Sequence, residues 1–494
     1  MRISSGQNSE FGLISDMMKI YILLISFLFF SADIFPQLNR DQLNNQLDDI
    51  LKDDFFKTTT IAVDVYDLTT GEYLYQVNEH RLLNPASNMK LLTSAAGLVF
   101  LGPGYNFVTS LQYSGEIVNN ILYGDLYVVG GFDPVFSTAD LDKFMKDIRK
   151  AGIKEISGNI YGDVSKKDSL FWGWGWMWDD DPSTDAPYLS ALNINSNSID
   201  VYVTGSAQGS EPNVRTDPET KYVNVINNAM TSSVDPQKIK ITRDWKNRKN
   251  DIYVSGYILP PQFTSEDTVE SSVNVYRPDL YFLNLFKEHL VKSGIKFSGK
   301  MDLKKKPASS NWLSVFSRRY DSVMTYMNKR SDNLSAEMVL YSLAASFNNY
   351  PVTARQGLEV LDSLLTLSGV LRNNYILADG SGVSRYNLVS AEQILSVLKY
   401  MYSTDPYLFN IYLKSLPLSG VDGTLSKRMN DTDAEGKVHA KTGTLRGVSC
   451  LSGYVTAKNG HVLAFSILEQ NFIDGTAYAR FLQDKICQVL AEYK

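Results

Sequence analysis

The chain has 494 residues, 44% of them hydrophobic and 21% charged, with a formal net charge of −6. That is the composition of a folded protein with a sizeable core and about two to four domains, not of a disordered one. The acidic balance, without a long basic run or aromatic-basic interleaving, gives nucleic-acid binding no support.

Lys19 precedes an apolar run from Ile20 to Phe30, followed by the small residues Ser31 and Ala32. This is the pattern of a bacterial export signal, and the run is short for a transmembrane helix. Roughly the first 37 residues are therefore set aside from the fold. The polar stretch ahead of Met17 reads as an extension upstream of the true start. A mature protein in the periplasm or cell envelope is expected. An uncleaved anchor with peripheral membrane attachment is the alternative.

Next, "TIAVDVYDLTTGEYLYQVNEHRLL" alternates apolar and polar residues around a Thr-Gly turn, as a β-hairpin does. "NPASNMKLLTSAAGLVFLG" then reads as a loop entering an apolar helix. From about 104 to 310 the texture becomes short strand-like runs, interrupted by helical stretches at "TADLDKFMKDIRKAG" and "RPDLYFLNLFKEHLVKSG". After 315, three segments carry i, i+3, i+4 apolar spacing. They are "LSAEMVLYSLAASF", "ARQGLEVLDSLLTLSG" and "SAEQILSVLKYMYS". Two strands joined by "KNG" and a C-terminal helix close the chain. The expectation is an α+β main domain, an antiparallel sheet flanked by helices and assembled from both ends of the sequence, with a β-rich insert looping out.

Chemistry has few candidates. Only Cys450 and Cys487 are present, and both are expected to pack as small apolar residues. His80, His289, His439 and His461 are scattered, with neither metal-ligand spacing nor a phosphate loop nearby. No metal or cofactor is called for, and a hydrolase here has to work without histidine.

A serine nucleophile needs a base, and a lysine serves if burial keeps it neutral. Ser87 and Lys90 stand three apart, on one helical face. SxxK recurs at Ser293–Lys296 and Ser396–Lys399, but only the copy at 87 sits where a loop enters a helix and backbone N–H groups are free. "SDN" at Ser331–Asn333 precedes a helix, and "KTGT" at Lys441–Thr444 occurs once. SxxK, SxN and KTG in this order are the signature of penicillin-recognising serine acyltransferases. The 244 residues from Ser87 to Ser331, and 110 more to Lys441, leave room for the β-rich insert.

With these motifs the sequence resembles the class C low-molecular-mass penicillin-binding proteins, the D-alanyl-D-alanine carboxypeptidase/endopeptidases. The likeness runs from about Thr58 to the C-terminus. It includes "GGFDP", "GWMWDDDPSTDAPYLSALNINSNS", "ADGSGVSR", "GVDGTLSKRM" and "EGKVHAKTGTLRGVSCLSGYV". Phe132 stands where the family usually has a third glycine. The resemblance implies a serine β-lactamase/transpeptidase-like domain over 38–103 and 311–494. It also implies an inserted domain over 104–190 and 272–310, and a third domain, 191–271, inserted into the second.

It further implies penicillin-sensitive cleavage of peptidoglycan stem peptides through an acyl-enzyme. Ser87 is then the nucleophile and Lys90 its base. Ser331 relays a proton with Lys441, and Asn333 orients substrate and Lys90. The backbone N–H groups of Ser87 and Thr444 form the oxyanion hole, the Thr442 and Thr444 hydroxyls, with Lys441 nearby, receive the substrate carboxylate, and Gly443 between them also belongs to the substrate-binding strand. Trp176, Trp178 and Asp179 are expected on a wall of the cleft, with Arg385 facing a carboxylate of the stem side chain. Asp379, Gly380 and Gly382 read as a tight turn. The alternatives are a β-lactamase or esterase on the same fold, and a non-catalytic murein-binding protein. Oligomeric state is not legible.

Overall fold

In a computed structural model of the chain, residues 40–233, 238–261, 268–473 and 475–494 are described. The signal-like segment lies outside them. The main sheet contains β1 (Thr60–Asp67), β2 (Glu72–Val77), β3 (Val438–Leu445), β4 (Val448–Thr456) and β5 (Val462–Gln470). Its order is β3-β4-β5-β1-β2, antiparallel throughout. Both ends of the chain thus meet at the β5–β1 pairing, as expected. The β1–β2 turn is held by Asp67 Oδ1, which accepts the N–H of Thr69 (2.8 Å) and Thr70 (3.2 Å).

Helices cover both faces of this sheet. On one side lie α1 (residues 40–51) and α8 (Thr476–Glu492), whose Leu43, Leu47, Ile486 and Leu490 pack on Ile61, Val63, Val65 and Phe465. On the other lie α2 (Met89–Ala96), α3 (Tyr320–Arg330), α4 (Asn333–Phe347), α5 (Ala354–Leu367), α6 (Ala391–Ser403) and α7 (Pro406–Ser415). Their core takes the alternate residues of the strands, Ala62, Ala464 and Leu468. Every residue of α2, and α4 from Asn333 to Ala344, is buried, so α4 packs around its whole circumference and not on the single face its apolar spacing predicts. Each buried Leu or Met side chain contributes about 1.5–3 kcal/mol, so these two helices are fixed platforms.

The insert leaves after α2 and returns at α3. One sheet joins Met301–Leu303, Ile160–Asp163, Leu126–Val129, Asn106–Tyr113 and Asn311–Arg319 in that order. Because Asn311–Arg319 pairs along Asn106–Tyr113, the insert's sheet runs past the expected boundary at 310. Thr268–Asn274 pairs with Ser198–Thr204 and so straddles the expected boundary at 271. One hydrophobic cluster, from Leu111 and Phe136 to Val201 and Val254, runs through both parts of the insert. Phe132 adopts a left-handed backbone (φ 65°), the conformation that suits a glycine, and its buried ring stacks on Tyr341 at 5.9 Å. Cys450 and Cys487 are free and buried.

Candidate active site

Ser87 sits in a short 3-10 turn, Ala86–Asn88, that runs directly into α2. Ala86 has φ 44°, a strained left-handed conformation for a residue with a Cβ. Asn84 Oδ1 holds its N–H at 2.9 Å. Two glycines crowd this turn. A Cβ on Gly382 (φ 87°) would lie 1.8 Å from Ala86 O, and one on Gly443 would lie 2.7 Å from Pro85 O. The absent side chains let the 379–382 turn and β3 close on the nucleophile from two sides.

Lys90 is fully buried on the first turn of α2. Its Nζ lies 2.9 Å from Ser87 Oγ, 2.5 Å from Asn333 Oδ1 and 2.7 Å from Ser381 O. Burial lowers its pKa to about 8, against the opposing pull of Asp379, Asp332, Glu337 and Asp185. The two carbonyl oxygens can only accept, so they take two N–H bonds. A neutral amine then has one lone pair left, and its remaining neighbour is the Ser87 hydroxyl.

The SDN segment is set by consecutive helices. Ser331 caps the end of α3 in a left-handed conformation (φ 61°), and Asp332 caps α4 by accepting the Ser335 N–H at 2.7 Å. Asn333 therefore begins α4, with Nδ2 donating to Asp185 O of the insert at 2.6 Å. That bond fixes its amide so that Oδ1 faces Lys90. Lys441, fully buried on β3, donates to Ser331 Oγ at 2.8 Å and to Thr442 O at 2.8 Å. Burial, then the neighbouring Lys90, holds its pKa well below the usual lysine range.

Ser87, Ser331, Asn333, Thr442 and Thr444 line one cleft of about 670 Å³, with Asp180, Asp185, Arg446 and Arg480. Thr442 Oγ1 donates to Thr424 Oγ1 at 2.8 Å, and Thr444 Oγ1 accepts from Arg480 Nη2 at 3.2 Å. None of the four histidines lines the cleft. Among the described residues no group of three or more His, Cys, Asp or Glu could hold a metal. The other SxxK copies lie elsewhere: Ser293 caps an insert helix, and Lys399 sits over the Tyr66 ring at 3.7 Å.

The wall differs from the expectation in four residues. Trp176 is buried in the core, where its indole donates to Asp379 Oδ2 at 2.8 Å. Trp178 is 70% exposed and packs on Trp245 at 5.1 Å. Asp179 is exposed outside the cleft lining, and its neighbour Asp180 lines it instead. Arg385 is also outside the lining; its Nη2 donates to Arg446 O at 3.2 Å, and its charge acts on Asp180.

Three contributors are not legible as site residues in the sequence, Asp379 being read there only as part of a tight turn. Glu337, buried one turn after Asn333, accepts the N–H of Gly380 (3.0 Å) and Ser381 (2.9 Å). Burial and Asp379 push its pKa up to about 8. Asp379 also accepts from Gly382 N, Ser384 N and Asn387 Nδ2. Together they hold the turn whose Ser381 carbonyl meets Lys90. The third is the Asp185 carbonyl.

The chain is 32% identical to a D-alanyl-D-alanine carboxypeptidase of Actinomadura sp. (strain R39), over 92% of this chain and 85% of that protein. It is 27% identical to the D-alanyl-D-alanine carboxypeptidase DacB of Haemophilus influenzae, over 92% of this chain and 91% of the relative. The crystal structure of penicillin binding protein 4 (dacB) from Haemophilus influenzae superposes with a TM-score of 0.78 at 26% identity, covering 89% of this chain and 97% of that one. Residues 43–493 match the D-Ala-D-Ala carboxypeptidase 3 (S13) family, and the chain belongs to it.

Proposed function

We propose that this is an exported serine DD-peptidase that cleaves D-Ala-D-Ala ends of peptidoglycan stem peptides, their D-amino-acid cross-bridges, or both, through an acyl-enzyme. The observation that carries the mechanism is the contact set of Lys90. Two obligate acceptors and the Ser87 hydroxyl surround a buried amine of lowered pKa. Neutral Lys90 takes the Ser87 proton as Oγ attacks the penultimate carbonyl. The N–H groups of Ser87 and Thr444 receive the developing oxyanion, and Gly443 is what lets their two segments approach. Ser331, bonded to Lys441, passes a proton to the leaving amine. Water then hydrolyses the ester.

Asn333 accepts from Lys90 and orients the substrate amide. The Thr442 and Thr444 hydroxyls face the substrate carboxylate from the cleft wall. Arg385, which offsets Asp180 of the cleft wall, attracts a carboxylate on the side chain of the stem peptide. A β-lactam mimics the scissile amide and traps Ser87 as a slowly hydrolysed ester. The signal-like segment supports action in the periplasm or cell envelope.

Purified protein on defined muropeptides tests the reading, with product masses separating D-alanine loss from cross-bridge cleavage. Wild type should take up labelled penicillin covalently and Ser87→Ala should not. Uptake by Ser87→Ala, or rapid multiple turnover of penicillin, refutes it.

A further inference from the structure

A Lys441 enclosed in the core and already donating to two acceptors leaves one requirement of this chemistry unmet. Its Nζ is committed to Ser331 Oγ and Thr442 O, and the side chain is wholly enclosed. A carboxylate seated at the Thr442 and Thr444 hydroxyls needs a cation that is charged and reachable. Four arginines line the cleft: Arg330, Arg428, Arg446 and Arg480. Arg428 is spent, because its Nε (3.0 Å) and Nη2 (2.7 Å) both donate to Asp484 Oδ1. Arg446 follows β3 on an exposed turn, and Arg330 lies over the Tyr326 ring. Arg480 alone of the four donates to a hydroxyl of the KTGT strand, Thr444 Oγ1.

Arg480 is also held in place with no carboxylate paired to it among the described residues. It sits on α8 with Gln483 and Asp484 on the same face, at i, i+3 and i+4. Gln483 Nε2 donates to Ser449 Oγ and Glu469 Oε2, each at 3.0 Å. Ser449 is the cross-strand partner of both Thr444 and Glu469, so the register of α8 is pinned to the strand position it serves. Arg428 Nη2 donates to Arg480 O at 3.0 Å, fixing the backbone as well. Among the described residues no Asp or Glu lies within ion-pair distance of Arg480, since the nearby Asp484 is taken by Arg428. A guanidinium with free donors beside Thr444 is a fork for a planar carboxylate.

We infer that Arg480 binds the α-carboxylate of the leaving D-amino acid, which makes a free carboxylate beside the scissile amide a requirement for efficient cleavage. This rests on the DD-peptidase reading above. It also selects among substrates. A terminal D-alanine qualifies, and so does a cross-bridge whose leaving amine is an α-amino group with its carboxylate free. A cross-bridge through the ε-amine of a lysine does not.

The test compares two synthetic peptides, one ending in D-Ala-D-Ala free acid and one in D-Ala-D-alaninamide. Wild type should prefer the acid. Arg480→Gln should cut the acid-over-amide ratio of kcat/KM by about 10- to 100-fold, the range for losing a charge-assisted hydrogen bond. Arg480→Lys, which keeps the charge but not the fork, should retain part of that ratio and serves if the glutamine variant does not fold. A ratio unchanged by Arg480→Gln, with both substrates slowed alike, overturns the assignment. If wild type cleaves neither peptide and no D-amino-acid cross-bridge either, the DD-peptidase reading fails instead.

Discussion

Glu337→Gln isolates the electrostatic setting of the base from its geometry. Glu337 Oε1 accepts the Gly380 and Ser381 N–H groups, and Ser381 O accepts from Lys90, so one residue's backbone bridges the carboxyl and the amine. Glutamine keeps an oxygen for both N–H groups and removes the charge. Two unit charges about 7 Å apart at an effective dielectric of 20 interact by roughly 2 kcal/mol, or about 1.5 pKa units. Both groups titrate near 8, so Glu337 is only partly ionised where Lys90 loses its proton, and the shift should shrink to about half a unit to one unit.

The neutral form of Lys90 is the base, so acylation should climb with pH to a midpoint near 8 in wild type. In Glu337→Gln the midpoint should fall, making the variant about two- to fivefold faster than wild type at pH 7 and equal to it above about pH 9. The assay is the rate of covalent labelling by a fluorescent penicillin across that range. A midpoint that stays put or rises refutes the reasoning.

Stability offers an independent reading of the same residue. The folded-state pKa of Glu337 is raised from an ordinary 4.5 to about 8. Its contribution is therefore intact below pH 4.5 and is lost as pH rises towards 8. The variant cannot ionise, so its stability relative to wild type should grow over that window by on the order of 3–5 kcal/mol. Urea midpoints at about pH 5 and pH 9 measure it, and a difference between variant and wild type that is the same at both refutes it.

Two more substitutions probe the surroundings. Gly382→Ala places a methyl 1.8 Å from Ala86 O at a positive φ. It should cost about 3 kcal/mol or more, or else displace the nucleophile turn, read as a lowered Tm together with slower acylation. Arg385→Ala should slow cleavage of a stem peptide with a side-chain carboxylate by about two- to fivefold, because Arg385 offsets the negative charge of Asp180, and without it that carboxylate meets Asp180 unopposed. A minimal D-Ala-D-Ala peptide should be spared, and equal losses on both would count against the pairing.

What could be read from the sequence follows what has a pattern. The hairpin, the amphipathic helices and the last two strands repeat at 2.0 or 3.6 residues, and each appears where its period indicated. Strand β3 escaped because its central residues are Lys441, Thr442, Gly443 and Thr444, which read as a motif and not as a strand. The helix of residues 40–51 follows the signal-like segment and was not picked out. In the run Asp179-Asp180-Asp181, one residue faces the cleft, its predecessor faces solvent and its successor is buried against Arg243. An irregular loop has no period from which to make that choice. Trp176 went the same way, since a Trp-rich loop does not say which ring faces inward.

The least legible contributors act through backbone atoms. Ser381 and Asp185 offer carbonyl oxygens to Lys90 and Asn333, and any residue type carries a carbonyl. Their only trace is in the residues that shape the backbone around them. Asp379 gathers five side-chain and backbone donors, Gly382 makes room for Ala86, and Glu337 accepts the two N–H groups on the inner side of the turn. Read alone, Asp379, Gly380 and Gly382 are a tight turn, and a tight turn is what they form. The two descriptions do not compete. Only a tightly folded backbone can turn its N–H groups toward one buried ionisable side chain and a carbonyl toward another within two residues. The electrostatic link between Glu337 and Lys90 is therefore a property of the turn itself, and this is why a single charge removed from α4 should be felt at the nucleophile on α2.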